Sequence, residues 1–190
     1  MLKSALLTVG STEFPALVSA FLSRRVISKL ASSLNTHSIY AQIGHSSLPS
    51  GFALGVQTVE GVEVHVARFT DDLERRVGES DLVVSHAGAG SILSFLRPLP
   101  SRPSPASTSK RRQLILVPND TLMDSHQADL ADEMETKGWA TVCRDSSRLS
   151  ETIDELARRE NSESSRVEQN FPAIDEGKVQ RILDETLGYA

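Results

Sequence analysis

The chain has 190 residues, 39% of them hydrophobic, which is enough to bury the core of one domain of ordinary size. Its net charge of −5 argues against nucleic acid as the main partner, because phosphate contacts require clustered lysine and arginine. No apolar run in the sequence approaches the roughly 20 residues of a membrane span, and the single cysteine, Cys143, excludes an internal disulfide. These features predict a soluble, mildly acidic domain of the cytoplasm.

Short apolar runs alternate along the chain with segments whose apolar residues recur at helical spacing. The sequence predicts strands at 6–9, 38–44, 62–69, 81–85, 113–118 and 139–143. It predicts helices at 14–34, 71–78, 91–97, 124–137, 148–159 and about 175–188. Such alternation is typical of an α/β fold with an open, mostly parallel sheet and helices on both faces.

Residues 98–112, PLPSRPSPASTSKRR, interrupt this alternation. They are rich in proline and serine and lack periodicity, and a strand resumes directly after them, so we interpret them as a flexible, exposed insertion and not as a domain boundary. In the last predicted helix, at about 175–188, apolar residues including Val179, Ile182 and Leu183 share one face. Residues 1–190 are therefore predicted to form a single domain.

Two loops rich in small residues follow predicted strands, where open parallel sheets bind their ligands. Gly10-Ser11-Thr12 follows the first strand, and SHAGAGS, at 85–91, follows the fourth. Small side chains let a ligand approach the backbone, and free N–H groups at a helix start attract anions. The pair of loops predicts a diphosphate site, with tight turns that bind no ligand as an equally open alternative. The glycine spacing matches neither a dinucleotide fingerprint nor a P-loop.

The loop after the fifth strand carries polar groups in the run NDTLMDSHQ, at 119–127. Asp124 could cap the next helix with Gln127 as its capping-box partner, which would explain both residues. The functional alternative is that His126 and Gln127 donate hydrogen bonds to sugar hydroxyls. For His86 there is also an alternative to a functional role, in which this loop histidine only caps nearby backbone groups. The histidine spacing suggests no metal ligands, and we expect neither metal nor cofactor.

At these residues the chain resembles a known family. LLTVGST, AQIG, SDLVVSHAGAGSIL and LVPNDTLMDSHQADLADEM, in that order, resemble the cytosolic catalytic subunits of the dolichol-linked UDP-GlcNAc transferase of N-glycan assembly. The resemblance runs from about residue 3 to 145 and more loosely to the C-terminus. It implies the Rossmann-like, donor-binding half of a GT-B glycosyltransferase of family 28, similar to the C-terminal half of the bacterial MurG enzyme.

The resemblance implies a UDP-GlcNAc site built from several groups of residues. The diphosphate is held at a helix start by Gly88, Ala89, Gly90 and Ser91. The opposite wall is lined by Gly10, Ser11 and Thr12, with Gln42 and Gly44 nearby. The GlcNAc hydroxyls are bound by His126 and Gln127, and uracil packs near Phe69. For His86 our hypothesis is a catalytic role, as a hydrogen-bond donor to a phosphate oxygen of the leaving diphosphate.

The family pattern also implies partners and exposes one departure. The acceptor would be GlcNAc-diphosphodolichol, bound by a membrane-anchored partner subunit that recruits this chain to the cytosolic face of the endoplasmic reticulum. The amphipathic segment at 175–188 would dock on that partner, or pack on its own sheet. Ser94 stands where MurG-like enzymes carry a ribose-binding acid. That loss would suit one alternative, a non-catalytic UDP-sugar-binding regulatory module. A free-standing nucleotide enzyme on the same fold is a further, less favoured alternative.

Overall fold

The computed structural model describes residues 3–96, 112–119 and 126–161, and these form one seven-stranded sheet flanked by helices. The strands are β1 (Lys3–Thr8), β2 (Thr36–Gln42), β3 (Gly55–Val59), β4 (Val62–Ala67), β5 (Leu82–Ser85), β6 (Gln113–Leu116) and β7 (Thr141–Val142). The helices are α1 (Pro15–Phe21), α2 (Arg24–Leu34), α3 (Leu73–Glu79), α4 (Ala89–Leu96), α5 (His126–Thr136) and α6 (Leu149–Asn161), with a 3-10 turn at Ser146–Arg148.

The strand order in the sheet is β3-β4-β2-β1-β5-β6-β7. All neighbours pair in parallel except β3 and β4, which are antiparallel. From β1 the chain first builds outward through β2 to β4, and it then returns to the other side of β1 as β5. The order therefore reverses between β1 and β5, the place where sheets of this kind form a ligand crevice.

The sheet is covered on both faces, as its apolar strands require. One core cluster contains residues of α1, α2 and α6, with Phe21, Ile27 and Ile153 fully buried. The second contains residues of α3, α4 and α5, such as Val77 and Ile92. Central strands such as β5, whose residues are all buried, supply side chains to both clusters. This confirms the predicted open, mostly parallel α/β sheet with helices on both faces.

The helix predicted at 14–34 is divided into α1 and α2. The Ser23 hydroxyl accepts a hydrogen bond from the Val26 N–H at 3.2 Å and donates one to the Ala20 carbonyl at 2.7 Å. A serine in this position ends one helix and caps the next, because it satisfies backbone groups of both. Apolar spacing alone does not reveal the break, since both helices place their apolar residues in the same core cluster.

The strand β3 was absent from the sequence prediction. Its residues are only half-buried or exposed, so the run lacks the apolar character of the other strands. Glu60 and Gly61, which join it to β4, have φ values of 51° and 77°. Positive φ at two successive residues is the geometry of a tight β-hairpin turn, and it directs β3 back along the edge of the sheet.

Two predicted segments fall largely outside the described residues. They are the insertion at 98–112, of which the structure describes Arg112, and the helix at about 175–188. Arg112 is half-buried, which differs from the exposure predicted for it. Within the described ranges, no helix is both long and apolar enough to cross a bilayer.

Candidate functional site

A cleft of about 390 Å³ opens at the carboxyl ends of β1 and β5, between α3 and α4. This volume lies within the roughly 300–1,000 Å³ of small-molecule sites. The predicted site residues that line it are Gly10, Ser11, Thr12, His86, Gly88, Gly90 and Ser91. Its other lining residues are Leu73, Glu74, Val77 and Ser94. The structure thus brings the two loops of small residues to one crevice.

The ring of His86 packs between two glycines, one from each loop. A Cβ atom on Gly88 would lie 2.4 Å from Nε2 of His86, and one on Gly10 would lie 3.0 Å from Cε1. Gly10 also has a φ of +60°, which other residues rarely adopt. Both glycines are therefore needed to accommodate the imidazole, whatever ligand the cleft binds.

His86 is only 6% exposed, and its Nδ1 lies 3.4 Å from the carbonyl oxygen of Thr8. Burial lowers the pKa of the imidazole below its ordinary value of 6.5, and the hydrogen bond with the Thr8 carbonyl opposes this in part. At neutral pH the ring is accordingly neutral, and we assign its single proton to Nδ1, facing that carbonyl. Nε2 then carries a lone pair.

Gln42 supports the first loop from beneath. Its side-chain N–H groups donate to the carbonyls of Gly10 and Arg68, each at 2.7 Å, and its Oε1 accepts from the Thr8 hydroxyl at 2.7 Å. The Thr8 hydroxyl in turn accepts from the Gly10 N–H at 3.1 Å. Gln42 is 2% exposed and is not among the cleft's lining residues. The family resemblance predicts that Gln42 lies near the ligand. In the structure it supports the backbone that forms the cleft wall.

Gly44 contributes to the same support. A Cβ on it would lie 2.6 Å from the carbonyl oxygen of Thr12 and 2.7 Å from that of Gly10, and its φ is +54°. The backbone of the loop at 10–12 therefore rests directly on Gly44. Any side chain there would push the cleft wall out of place.

The glycine loop after β5 ends in α4, whose first turn faces the cleft. Ala87 has a φ of 63° and is buried, which turns the chain sharply between strand and helix. Beyond it, a Cβ on Gly90 would meet nothing within 4 Å, although Gly90 lines the cleft. The open space above the first turn of α4 is where free N–H groups are available to an anion.

Phe69 follows β4 and lies outside the lining of the cleft. Its side chain is 52% exposed, and its ring contacts that of His45 edge-on, with centroids 5.1 Å apart. This exposed aromatic pair presents an apolar surface at the same edge of the sheet as the cleft, because β4, β2 and β1 run parallel.

The residues at 119–127 are only partly described. Gln127 is half-buried, and its Oε1 accepts from the Asn119 N–H at 3.4 Å. The Asn119 side chain donates to the Glu13 carbonyl at 3.3 Å, so this loop is tied to the loop after β1. His126 begins α5, but its side chain and the predicted capping residue Asp124 lie outside the described residues.

The walls of the cleft are joined by Arg112. Its guanidinium donates to the carbonyls of Phe95 at 2.8 Å and Ser80 at 3.1 Å, and also to that of Val77. These carbonyls lie at or near the ends of α3 and α4, where a cation is favoured by the helix dipoles. Burial lowers the pKa of this guanidinium, and the charge of Asp81 opposes the shift.

Sequence reasoning missed the contribution of α3, because it considered only loops that follow strands. Leu73, Glu74 and Val77 form that wall. The charge pattern could have indicated this. On a helix, charged residues pair at a spacing of three or four, and Arg75 and Arg76 have that spacing to other acids but not to Glu74. Within the described ranges, no group of three or more His, Cys, Asp or Glu could hold a metal ion.

Comparisons with known proteins test the predicted family. Residues 4–100 match the family model "Glycosyltransferase family 28 C-terminal domain". A relative from Cryptococcus neoformans var. neoformans serotype D is named "UDP-N-acetylglucosamine transferase subunit ALG13". It is 33% identical over an alignment of 208 positions, gaps included, and the alignment covers 97% of this chain and 96% of the relative. The chain belongs to the ALG13 family within glycosyltransferase family 28. The resemblance predicted from HAGAGS and the motifs around it is confirmed.

Further relatives of the same name agree with this assignment. The protein of Yarrowia lipolytica is 30% identical over 96% of this chain and 83% of its own length. The human protein is 31% identical over 75% of this chain, which is only 11% of the human chain.

Solved structures support the fold class. MurG of Acinetobacter baumannii matches with a TM-score of 0.51 at 18% identity, over 82% of this chain and 40% of that one. The glycosyltransferase of kitacinnamycin matches with a TM-score of 0.52 at 19% identity, over 82% of this chain and 34% of that one. At these identities the likeness concerns the fold alone, and it confirms the Rossmann-like half of a GT-B glycosyltransferase.

Proposed function

We propose that this chain binds UDP-GlcNAc and transfers GlcNAc to GlcNAc-diphosphodolichol, giving chitobiosyl-diphosphodolichol in the second step of lipid-linked oligosaccharide synthesis. The observation that carries the proposal is the cleft at the first turn of α4, in a chain that matches the ALG13 subunit over nearly its whole length. The chain would act as the donor-binding, catalytic subunit of a two-subunit enzyme, with inversion at the anomeric carbon.

In this proposal the diphosphate lies over the first turn of α4, at Gly88, Ala89, Gly90 and Ser91. The loop Gly10-Ser11-Thr12 closes the other side, on the support of Gln42 and Gly44. Uracil packs near the exposed ring of Phe69. His126 and Gln127 hold the hydroxyls of GlcNAc. The backbone N–H groups suit this task because they are fixed before the ligand arrives and attract negative charge.

His86 would stabilise the leaving group. Its neutral ring has its proton at Nδ1, so donation from Nε2 to a phosphate oxygen requires a second proton. An adjacent diphosphate raises the imidazole pKa by its negative charge and thereby favours that protonation. As the acceptor hydroxyl attacks the anomeric carbon, its proton passes to a base on the acceptor side. Charge then builds on the departing UDP, where the imidazolium and the N–H groups of α4 stabilise it.

The acceptor side belongs to a second protein in this proposal. The matched relatives are named as a subunit of a UDP-N-acetylglucosamine transferase, which supports a second subunit. A membrane-anchored partner at the cytosolic face of the endoplasmic reticulum would bind the dolichol-linked acceptor and recruit this chain from the cytoplasm.

The test is transfer of labelled GlcNAc from UDP-GlcNAc to a GlcNAc-diphosphate-lipid, with this chain alone and with the membrane partner added. Product only with both supports a split enzyme. Activity of this chain alone on a soluble acceptor would instead indicate a free-standing enzyme. UDP binding without product in either case would leave a regulatory UDP-sugar-binding module.

A substitution in the cleft tests the site itself. Gly90→Val fills the open space above α4 and should abolish both UDP binding and transfer. Leu93→Val, on the same helix and 50% exposed outside the cleft lining, is the matched control and should retain both. Unchanged UDP affinity in Gly90→Val would refute the placement of the diphosphate.

A further inference from the structure

The cleft contains one carboxylate, that of Glu74 on α3, and it has no hydrogen-bond or ion-pair partner among the described residues. Its neighbours on the same helix are fully engaged. Asp72 accepts from Arg76 at 2.7 Å and also from Arg75 and Thr70. Glu79 accepts from Arg75 at 2.7 Å. The two nearby arginines therefore pair with Asp72 and Glu79, whereas Glu74 lines the cleft.

Among the residues that the structure describes, the opposite wall of the cleft has no carboxylate. Ser94 lines the cleft on α4, but its hydroxyl donates to the Gly90 carbonyl of its own helix at 2.9 Å. Its proton is therefore committed to the backbone. The two walls differ in character: the α4 side presents the N–H groups of a helix start, whereas the α3 side presents an anionic acceptor.

This polarity determines which part of a ligand meets each wall. A carboxylate repels a phosphate, but it accepts hydrogen bonds from hydroxyl groups and forms stronger ones than a neutral acceptor does. Its two oxygens suit a pair of neighbouring hydroxyls. A nucleoside diphosphate carries such a pair on its ribose, a few bonds from its phosphates.

We propose that Glu74 binds the ribose hydroxyls of the donor nucleotide and so orients it, with the diphosphate at α4 and the ribose at α3. This inference rests on the proposed function, since it assumes that the cleft takes UDP. It makes Glu74 a specificity-determining residue that selects ribonucleotides over nucleotides that lack both hydroxyls.

The test compares the affinities of UDP and 2′,3′-dideoxy-UDP for the full chain by titration calorimetry. Hydrogen bonds to a charged group predict that the unsubstituted protein binds UDP about 10- to 100-fold more tightly than the dideoxy compound. In Glu74→Ala, UDP affinity should fall by that factor while dideoxy-UDP affinity does not fall, so that the two ligands bind alike. Alanine is the best helix former, so this exposed substitution preserves α3.

The control is Glu133→Ala, which removes an acid from an exposed position on α5, outside the cleft lining. It should preserve the preference for UDP. If Glu74→Ala also preserves the preference for UDP, the inference is overturned. The proposed function stays intact in that case, provided that the unsubstituted protein binds UDP. If the unsubstituted protein binds no UDP, the proposed function fails first. A loss that is equal for both ligands and vanishes with EDTA would indicate a divalent cation between Glu74 and the phosphates, and would also overturn the inference.

Discussion

The glycines of the loop after β5 have different tasks although they stand two residues apart. Gly88 lies against the imidazole of His86, where a Cβ would approach Nε2 to 2.4 Å, whereas a Cβ on Gly90 would project into open space. The first glycine is required by the protein's own packing. The second leaves room that a ligand can use.

This difference predicts opposite effects of the same substitution. Gly88→Ala should destabilise the protein by about 1–3 kcal/mol, because the imidazole must shift in a tightly packed site. Gly90→Ala should instead stabilise it by about 0.5–1 kcal/mol, because alanine replaces glycine within a helix. Urea unfolding of both variants measures the two free energies. Equal stability of the two variants would contradict the packing seen around His86.

Burial of His86 also couples stability to pH. Because the folded protein lowers the pKa of this imidazole below 6.5, the unfolded chain binds more protons in the interval between the two values. The contribution of His86 to the free energy of unfolding should therefore be fully present above about pH 7. It should fall as the pH drops through 6.5 towards the lowered pKa of the folded protein. The free energy of unfolding between pH 5 and 8 reports this directly.

The substituted protein His86→Asn should lose that part of the pH dependence, whatever its absolute stability. His37→Asn is the matched control, since it replaces a histidine that is exposed on β2 and leaves His86 in place. A slope that persists in His86→Asn would show that another group titrates in this interval.

At the scale of elements, the cleft depends on how α3 and α4 are held together. Both helices pack on the same face of the sheet, and their ends are joined by the guanidinium of Arg112. The guanidinium carbon of Arg112 also lies 4.3 Å from the centroid of the Phe95 ring, which adds a cation–π interaction. Arg112 is not itself among the residues that line the cleft, but it positions the helices that carry Glu74 and Gly90.

Arg112→Met should therefore destabilise the protein by about 2–4 kcal/mol, because carbonyl groups of two helices lose a charged donor. Arg144→Met is the matched control. Arg144 pairs with Asp132 and Glu135 at the surface, and its loss should cost clearly less stability than the loss of Arg112. Urea unfolding measures both. Similar costs for the two would mean that Arg112 does not join the helices in solution.

At the scale of the whole molecule, the position of the cleft follows from the topology. The strand order reverses between β1 and β5, and the helices that follow these two strands, α1 and α4, pack on opposite faces. A crevice is left where the two connections part. The two loops of small residues, separated by some 75 positions in the chain, meet there because parallel strands end at one edge of the sheet.

The sequence by itself determined the fold class, the order of the elements other than β3 and the division between α1 and α2, and the loops that form the cleft. These features depend on local patterns: apolar periodicity distinguishes strands from helices, and clustered small residues mark the turns that follow strands. The family could also be predicted, because HAGAGS and MDSHQ are short contiguous motifs.

Only the tertiary structure decided the tasks of individual residues. Gly88 faces His86, Gln42 holds the carbonyl of Gly10, and Arg112 joins two helices, and none of these is a contact between neighbours in a motif. The same is true of Glu74, which has no partner among the described residues because Arg75 and Arg76 pair with Asp72 and Glu79. Such contacts arise when the chain closes around its core, and periodicity along the sequence carries no record of them.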